Sequence, residues 1–307
     1  MCKIAIILAY YDGQIYLKEL LDSIFSQTHQ DFHIFLFDDN SPKDINLESL
    51  NISNKNKKKI TIYKRKKNLG FANNFLDAVL KIDSFFEFYS FCDQDDIWIS
   101  DKLERGIKRI KKESSDIPLI YGTKTLHINE TGERIIGESI NIPRALSFKN
   151  ALLQSFAGGN TMIFNYKAKE IIASSVKTIN PISHDWWSYL IVSGCGGKII
   201  YDNNYSLLYR QHNKNLMGSN KLFKGKIKRI LKLFNSTFKR YIDLNLNGLF
   251  INYEMLTPEN KKILERFAKA RNYNFFRKVF FYLNSGIYRQ NFLGNLLFFI
   301  LFVIGRI

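Results

Sequence analysis

Cysteine is scarce: Cys2, Cys92 and Cys195 are the only three in 307 residues. They are odd in number and far apart, which excludes a disulfide framework or a cysteine metal cage and suits a reducing compartment. Proline is scarce too, at five, while aromatics reach 15%. That balance excludes a disordered or linker-rich chain. There is no G-x-G-x-x-G and no Walker A pattern, so phosphates cradled on a glycine-rich helix N-terminus are not indicated. The apolar run Leu296 to Ile304 is nine residues, well under the ~20 needed to span a bilayer. Met1-Cys2-Lys3-Ile4 lacks a small-residue cleavage site and reads as the start of a core strand rather than a signal peptide. Acids run short in one region: from Lys214 onward 18 Lys and Arg stand against 4 Asp and Glu, giving +14 of the total +17. Such a tail suits nucleic acid, an anionic membrane surface or an acidic substrate, and composition does not choose among them.

What is present reads as alternating strands and helices. Lys3 to Tyr10 is a continuous apolar run, fitting a strand covered on both faces. Leu17, Leu20, Leu21, Ile24 and Phe25 recur at helical spacing to about Gln27. Strands are expected at Phe32 to Phe37, Ile60 to Tyr63 and Phe88 to Cys92, with a helix marked by Phe71, Phe75, Leu76 and Val79. This order predicts βαβ units and a mostly parallel sheet, whose ligands bind beyond the strands' carboxyl ends. Tyr10-Tyr11, Asp38-Asp39 and Asp93 to Asp96 then share one edge. Beyond Trp98, a charged surface helix is expected over Asp101 to Lys112 and a strand over Pro118 to Ile128. The turn Asn129 to Gly132 marks where the sheet becomes mixed.

The densest chemistry lies at Asp93-Gln94-Asp95-Asp96. Carboxylates this close repel one another, and Mg2+ or Mn2+ relieves them while keeping positions for waters or substrate phosphates. Alternatively, one acid caps the next helix and the rest are solvated. Gly158-Gly159-Asn160 indicates close backbone approach, to a substrate or to a neighbouring strand. Asp185 opens an apolar helix as either a working carboxylate or a first-turn acid complementing the dipole. Trp186 and Trp187 suit core packing. Arg210 and His212 alternate in an extended segment and so share a side, either facing a diphosphate or lying on an exposed edge.

Together these pieces resemble the family 2 glycosyltransferases, and most of all bacterial rhamnosyltransferases of cell-surface polysaccharide synthesis. The resemblance rests on Ala9-Tyr10-Tyr11-Asp12-Gly13, Ser23 to Thr28, Asp38-Asp39-Asn40-Ser41, Asn68-Leu69-Gly70, Asp93-Gln94-Asp95-Asp96-Ile97-Trp98, Gly158-Gly159-Asn160, His184-Asp185-Trp186-Trp187 and Tyr209-Arg210-Gln211-His212. It covers about residues 3 to 220 in the family's order. It implies an α/β GT-A fold over residues 1–220, followed by a basic amphipathic helical region at 221–307. It also implies that Asp39 contacts the donor's base, with Ala9, Tyr11 and Asn68 around the same nucleotide. Asp93 is expected beside ribose and diphosphate, Asp95 on the metal with Asp93 near it, and Arg210 and His212 at the diphosphate. Asp185 matches the general base; Gly159, Asn160 and Trp187 are expected towards the acceptor. Three departures stand out. Ala9 replaces a frequent hydroxyl residue, Asp44 lies one place later than the acid usual after Asp-Asp-x-Ser, and His184 stands where many relatives carry an acid. The Gln-x-x-Arg-Trp motif of processive synthases is missing, which implies one sugar per encounter.

The expected activity is inverting transfer of one sugar, L-rhamnose from dTDP-L-rhamnose, to a lipid-linked oligosaccharide acceptor, with UDP-galactose or UDP-glucose as the alternative donor. A second class, a nucleic-acid-binding protein using the basic tail, leaves the acidic cluster without a use. Leu222, Phe223, Ile227, Ile230, Leu231, Phe234 and Phe238 repeat at helical spacing among Lys and Arg. This predicts attachment to the inner face of the cytoplasmic membrane, or a helical cap on the catalytic layer. The acceptor, the linkage and the oligomeric state are not legible.

Overall fold

The computed structural model describes residues 3–83, 85–176, 179–212 and 237–307. Its first half is the expected alternation: β1 (Ile4–Tyr10), α1 (Gln14–Phe25), β2 (Phe32–Asp38), α2 (Asn54–Lys57), β3 (Ile60–Lys64), α3 (Phe71–Lys81) and β4 (Phe88–Cys92). The four strands run parallel in the order β3-β2-β1-β4. Their carboxyl ends therefore meet at one edge.

The chain continues through β5 (Ile97–Trp98), α4 (Lys102–Ile110), β6 (Leu119–Ile128), β7 (Ile135–Glu138), α5 (Phe148–Ala151), β8 (Ile163–Asn165), α6 (Tyr166–Ser175), α7 (His184–Gly194) and β9 (Lys198–Arg210). Here the sheet becomes mixed: β8 pairs antiparallel with β4 and β6, β6 pairs parallel with β9, and β5 pairs antiparallel with β9. Asp202-Asn203-Asn204 does not interrupt the last strand. β9 is continuous, and a register shift opposite Thr123 and Lys124 absorbs the two asparagines.

Side chains alternate through the sheet with the strand period of two. Ile4, Ile6 and Leu8 face α1 and α4, packing with Leu17, Leu21, Ile24, Leu103 and Ile107. Ala5 and Ile7 face the other way, into a core built with Phe75, Val79, Ile172, Trp187 and Leu190 from α3, α6 and α7. Four further helices join that second core: α8 (Thr237–Ile251), α9 (Pro258–Ala270), α10 (Phe275–Ser285) and α11 (Phe292–Val303). They contribute Ile242, Leu249, Leu264, Phe267, Phe298 and Phe302.

Polar contacts tie the same layers. Asn260 donates to the carbonyls of Ser193 and Gly194 at 3.1 and 3.0 Å, and Gly248 leaves room for the Trp187 ring. Most of the stretch expected as a basic amphipathic helix lies outside the described residues; only its end opens α8, with Phe238 buried and Lys239 and Arg240 exposed. Among the described residues no helix is long and apolar enough to cross a membrane.

Candidate active site

The edge is assembled from loops that lock one another. At the end of β2, Asp38 is buried and turns the chain by accepting the Ser41 N–H and O–H at 2.9 and 2.5 Å. Asp39 is equally buried, and its two oxygens accept the N–H groups of Leu69 and Gly70 at 2.8 and 2.9 Å. Bonds of this kind to a charged group contribute about 1.5–3 kcal/mol each. Gly70 itself sits at φ 80°, a conformation that strains any other residue. Asp39 thus fixes the entrance of α3, with exposed Asn68 beside it. At the end of β1, Ala9 is half-buried and Tyr11 stands 48% exposed on the rim.

Gln94 was not singled out from the sequence, and it joins two of these strand ends. Its Oε1 accepts the Tyr11 N–H at 2.7 Å and its amide donates to the Tyr11 carbonyl at 3.0 Å. A side chain at residue 13 would displace the Gln94 amide from this position. The sequence signal was the one uncharged member of an acidic run opposite a glycine.

The acids themselves are crowded. Burial first, then the charges of Asp95 and Asp185, push the Asp93 carboxyl up to about 7, against a smaller opposing effect of Lys102. Asp185 reaches this cluster electrostatically from α7, ninety residues on. Asp96 is fully buried; it accepts from the Asn160 amide at 2.6 Å, and its Oδ1 has no hydrogen-bond partner among the described residues. Burial, then Asp95 and Asp93, hold its pKa well above the ordinary carboxylate range. The cation beneath is Lys102, expected on a charged surface helix but fully buried, donating to the Asn160 carbonyl and lying 3.6 Å from the Trp98 ring centroid. Burial lowers its pKa to about 8, against the acids' pull.

Arg210 and His212 do share a side, on either flank of Tyr16: the guanidinium lies 5.1 Å from its ring centroid, and the imidazole stacks at the same distance. Arg210 is buried and bonded to the Asp95 carbonyl at 3.1 Å, the Glu130 carbonyl at 2.8 Å and the Glu19 carboxylate. It braces the backbone of the acidic loop and does not lie on an exposed edge. His212 Nε2 sits 2.7 Å from Asp95 Oδ2.

On the facing element, Asp185 is partly exposed, and one oxygen accepts its neighbour's N–H at 2.7 Å. His184 is buried against Phe75, with ring centroids 3.9 Å apart, and against Phe91 and Phe71. Burial lowers its pKa to about 4, partly offset by Asp185, so the ring is neutral at physiological pH. Gly159 is the close approach: a side chain there would meet the His184 ring. Asn160 serves the acidic cluster, not a surface. Trp187 is not brought to the cleft; it is 1% exposed, donating to Ser175 Oγ at 2.9 Å.

Among the described residues no group of three His, Cys, Asp or Glu is set to hold a metal ion. The donor set, Asp95 with His212 and Asp93 alongside, does not fit a closed structural zinc site. It fits a hard cation that keeps several positions for water or phosphate oxygens, and carboxyls such as Asp93 and Asp96, whose ionisation burial and neighbouring acids oppose, are the kind that such an ion would let ionise.

The profile of glycosyl transferase family 2 matches residues 5–171. The dTDP-rhamnosyl transferase RfbG of Shigella flexneri is 24% identical over 263 residues, covering 81% of this chain and 88% of that protein. The UDP-Glc:alpha-D-GlcNAc-diphosphoundecaprenol beta-1,3-glucosyltransferase WfgD of Escherichia coli is 26% identical over 162 residues, or 53% and 60% of the two chains. The structure of S. aureus TarS 1-349 in complex with UDP-GlcNAc superposes with a TM-score of 0.56 at 16% identity, covering 92% of this chain and 76% of that one. Against a longer TarS structure the match spans 45% of that chain. The sheet order, the strand-end acids and these relationships agree: the fold is GT-A, and the chain is a glycosyltransferase belonging to glycosyl transferase family 2.

Proposed function

We propose that the protein is an inverting, metal-dependent, non-processive transferase that moves one sugar, L-rhamnose from dTDP-L-rhamnose, to a lipid-linked glycan in cell-surface polysaccharide synthesis. One observation carries the reading: His184, beside Asp185 at the start of α7, packs on Phe91 near the end of β4 with ring centroids 4.8 Å apart, which supports a cleft shared by Asp185 and Asp93. Asp185, with one oxygen free of protein partners among the described residues, takes the proton of the acceptor hydroxyl as that oxygen attacks the anomeric carbon. A positioned base contributes about 10²- to 10⁴-fold. Neutral His184 behind it adds no competing charge. Asp95 and His212 would hold Mg2+ or Mn2+, which neutralises charge on a departing diphosphate when bound. Arg210 orients Asp95 through its backbone, and Gln94 holds Tyr11 at the nucleotide's side. Asp39 reaches the base with the lone pairs left over from its two backbone bonds.

The rhamnosyl donor is favoured by the Asp-Gln-Asp-Asp-x-Trp run and by the similarity to RfbG. A UDP-hexose is the second reading, favoured by the similarity to WfgD. Attachment to the inner face of the cytoplasmic membrane draws support from α10 and α11, which expose Phe276, Phe280, Leu283, Phe292 and Leu293. The division near residue 220 is then one of function, since the helices beyond it share the catalytic core. Release of nucleotide diphosphate from a panel of dTDP- and UDP-sugars, with Mn2+, Mg2+ or chelator, tests the whole assignment. Metal-dependent release from dTDP-L-rhamnose is expected; release from no donor would refute it.

A further inference from the structure

Away from the acidic edge, the C-terminal helices line an open pocket of about 430 Å3. Lys239 and Asp243 of α8, Arg271 after α9, Lys278 of α10, and Gly305 and Ile307 beyond α11 are in its lining. Three cations thus face one acid, and Asp243 is already paired with Arg271. A main-chain carboxylate at Ile307 would remove one further unit and leave the lining positive.

Two of these cations are incompletely partnered. Lys278 is 6% exposed, yet its ammonium has no acid or carbonyl partner among the described residues. Its neighbours are the Phe302 ring, 5.8 Å to the centroid, and the backbone at Gly305. Arg271 Nε is buried with no hydrogen-bond partner among the described residues. Burial, then Lys239 and Arg271, lower the Lys278 pKa. A buried cation is stable only when paired, and here the pairing groups are missing from the protein side.

We infer that this pocket is an anion site for a phosphoryl group, supplied either as free phosphate or as the phosphate of a phospholipid headgroup. A tetrahedral oxyanion offers several acceptors at once to an arginine fork and two ammonium groups. Phe275, Phe276 and Phe280, all exposed, flank Lys278 in sequence on the same helix. A lipid whose phosphate entered the pocket would find apolar surface beside it. This site uses no cleft residue and is independent of the transferase reading.

The test is thermal unfolding of the full chain in inorganic phosphate against chloride of equal ionic strength. It is paired with flotation on phosphatidylcholine vesicles with and without phosphatidylglycerol. Phosphate is expected to raise the midpoint saturably. In Lys278→Met the phosphate affinity should fall at least about tenfold, while the phosphate-free midpoint holds or rises because a lone buried charge has gone. Lys239→Gln, at the exposed rim, should weaken phosphate a few-fold and serves if the first variant fails to fold. If Lys278→Met also loses its preference for phosphatidylglycerol vesicles, the source is a headgroup. If vesicle binding is unchanged while the phosphate response disappears, the source is free phosphate. No phosphate-specific shift in the wild type, with vesicle binding unchanged in the variants, overturns the site.

Discussion

The strand-end cleft and the C-terminal helical layer carry opposite imbalances of charge. In the cleft, Asp93, Asp95 and Asp96 crowd near one fully buried lysine, so carboxyls outnumber the cation that could offset them. In the helical layer, Lys239, Arg271 and Lys278 surround one paired aspartate, and the excess is positive. Both cores are well packed, so neither imbalance follows from poor folding. Charged side chains held partly out of water and short of partners mark a place where a ligand of the other sign is due. A cation answers the first and an anion the second.

The largest effect that would sharpen this contrast is at Asp185. Asp185→Asn should lower turnover by about 10²- to 10⁴-fold, with donor affinity within about twofold by titration calorimetry. Equal losses of turnover and affinity would mean that the carboxylate binds and does not act as base. Next comes Arg210, which touches Asp95 through its backbone. Arg210→Lys should weaken Mn2+ affinity by about 10- to 100-fold, read as a shift in the metal concentration for half-maximal turnover. Unchanged metal dependence would remove Arg210 from the cleft's support.

On the other side of the comparison, Phe276→Ser with Phe280→Ser removes two rings from the exposed face of α10. Vesicle affinity should fall about tenfold or more, while turnover on a water-soluble acceptor stays the same. The smallest effect is the pH dependence of stability in chelator. Asp93 is raised to about 7 from 3.8, so the folded protein holds the extra proton between these values and stability should fall as pH rises through that window. Added Mn2+ should restore more stability at pH 7.5 than at pH 5. A flat profile in chelator would mean that Asp93 is solvated and ordinary.

Much of the fold was legible because its signals are local. Phe88 to Cys92 reads as a buried strand from its own apolar run, and the acids after it mark where it leaves the core. The ends of β1 and β2 follow by the same logic, which is why the residues around one edge were named correctly as neighbours. What was not legible depends on distant partners. The ion pair of Arg210 with Glu19 spans 191 positions, and nothing near either residue announces it. β5 is two residues long, too short to show a period, and exists because Leu207 and Leu208 pair with it. Lys102 looked like part of a solvated helix face, since burying a lysine makes sense only once Asp96 and Asn160 are seen above it. Trp187 lies two residues from Asp185 in sequence, yet it serves the core shared with α8. The basic pocket was hidden for the same reason, since its three cations come from α8, from the residue after α9 and from α10.

The central claim is that the acids beyond β4 and Asp185 face each other across one metal-bearing cleft. Anomalous diffraction from crystals grown with Mn2+ and dTDP tests it most directly. A single strong peak within bonding distance of Asp95 and His212, with the Asp185 carboxylate on the opposite wall, is the expected result. A peak elsewhere, or Asp185 opening onto a different surface, would contradict it.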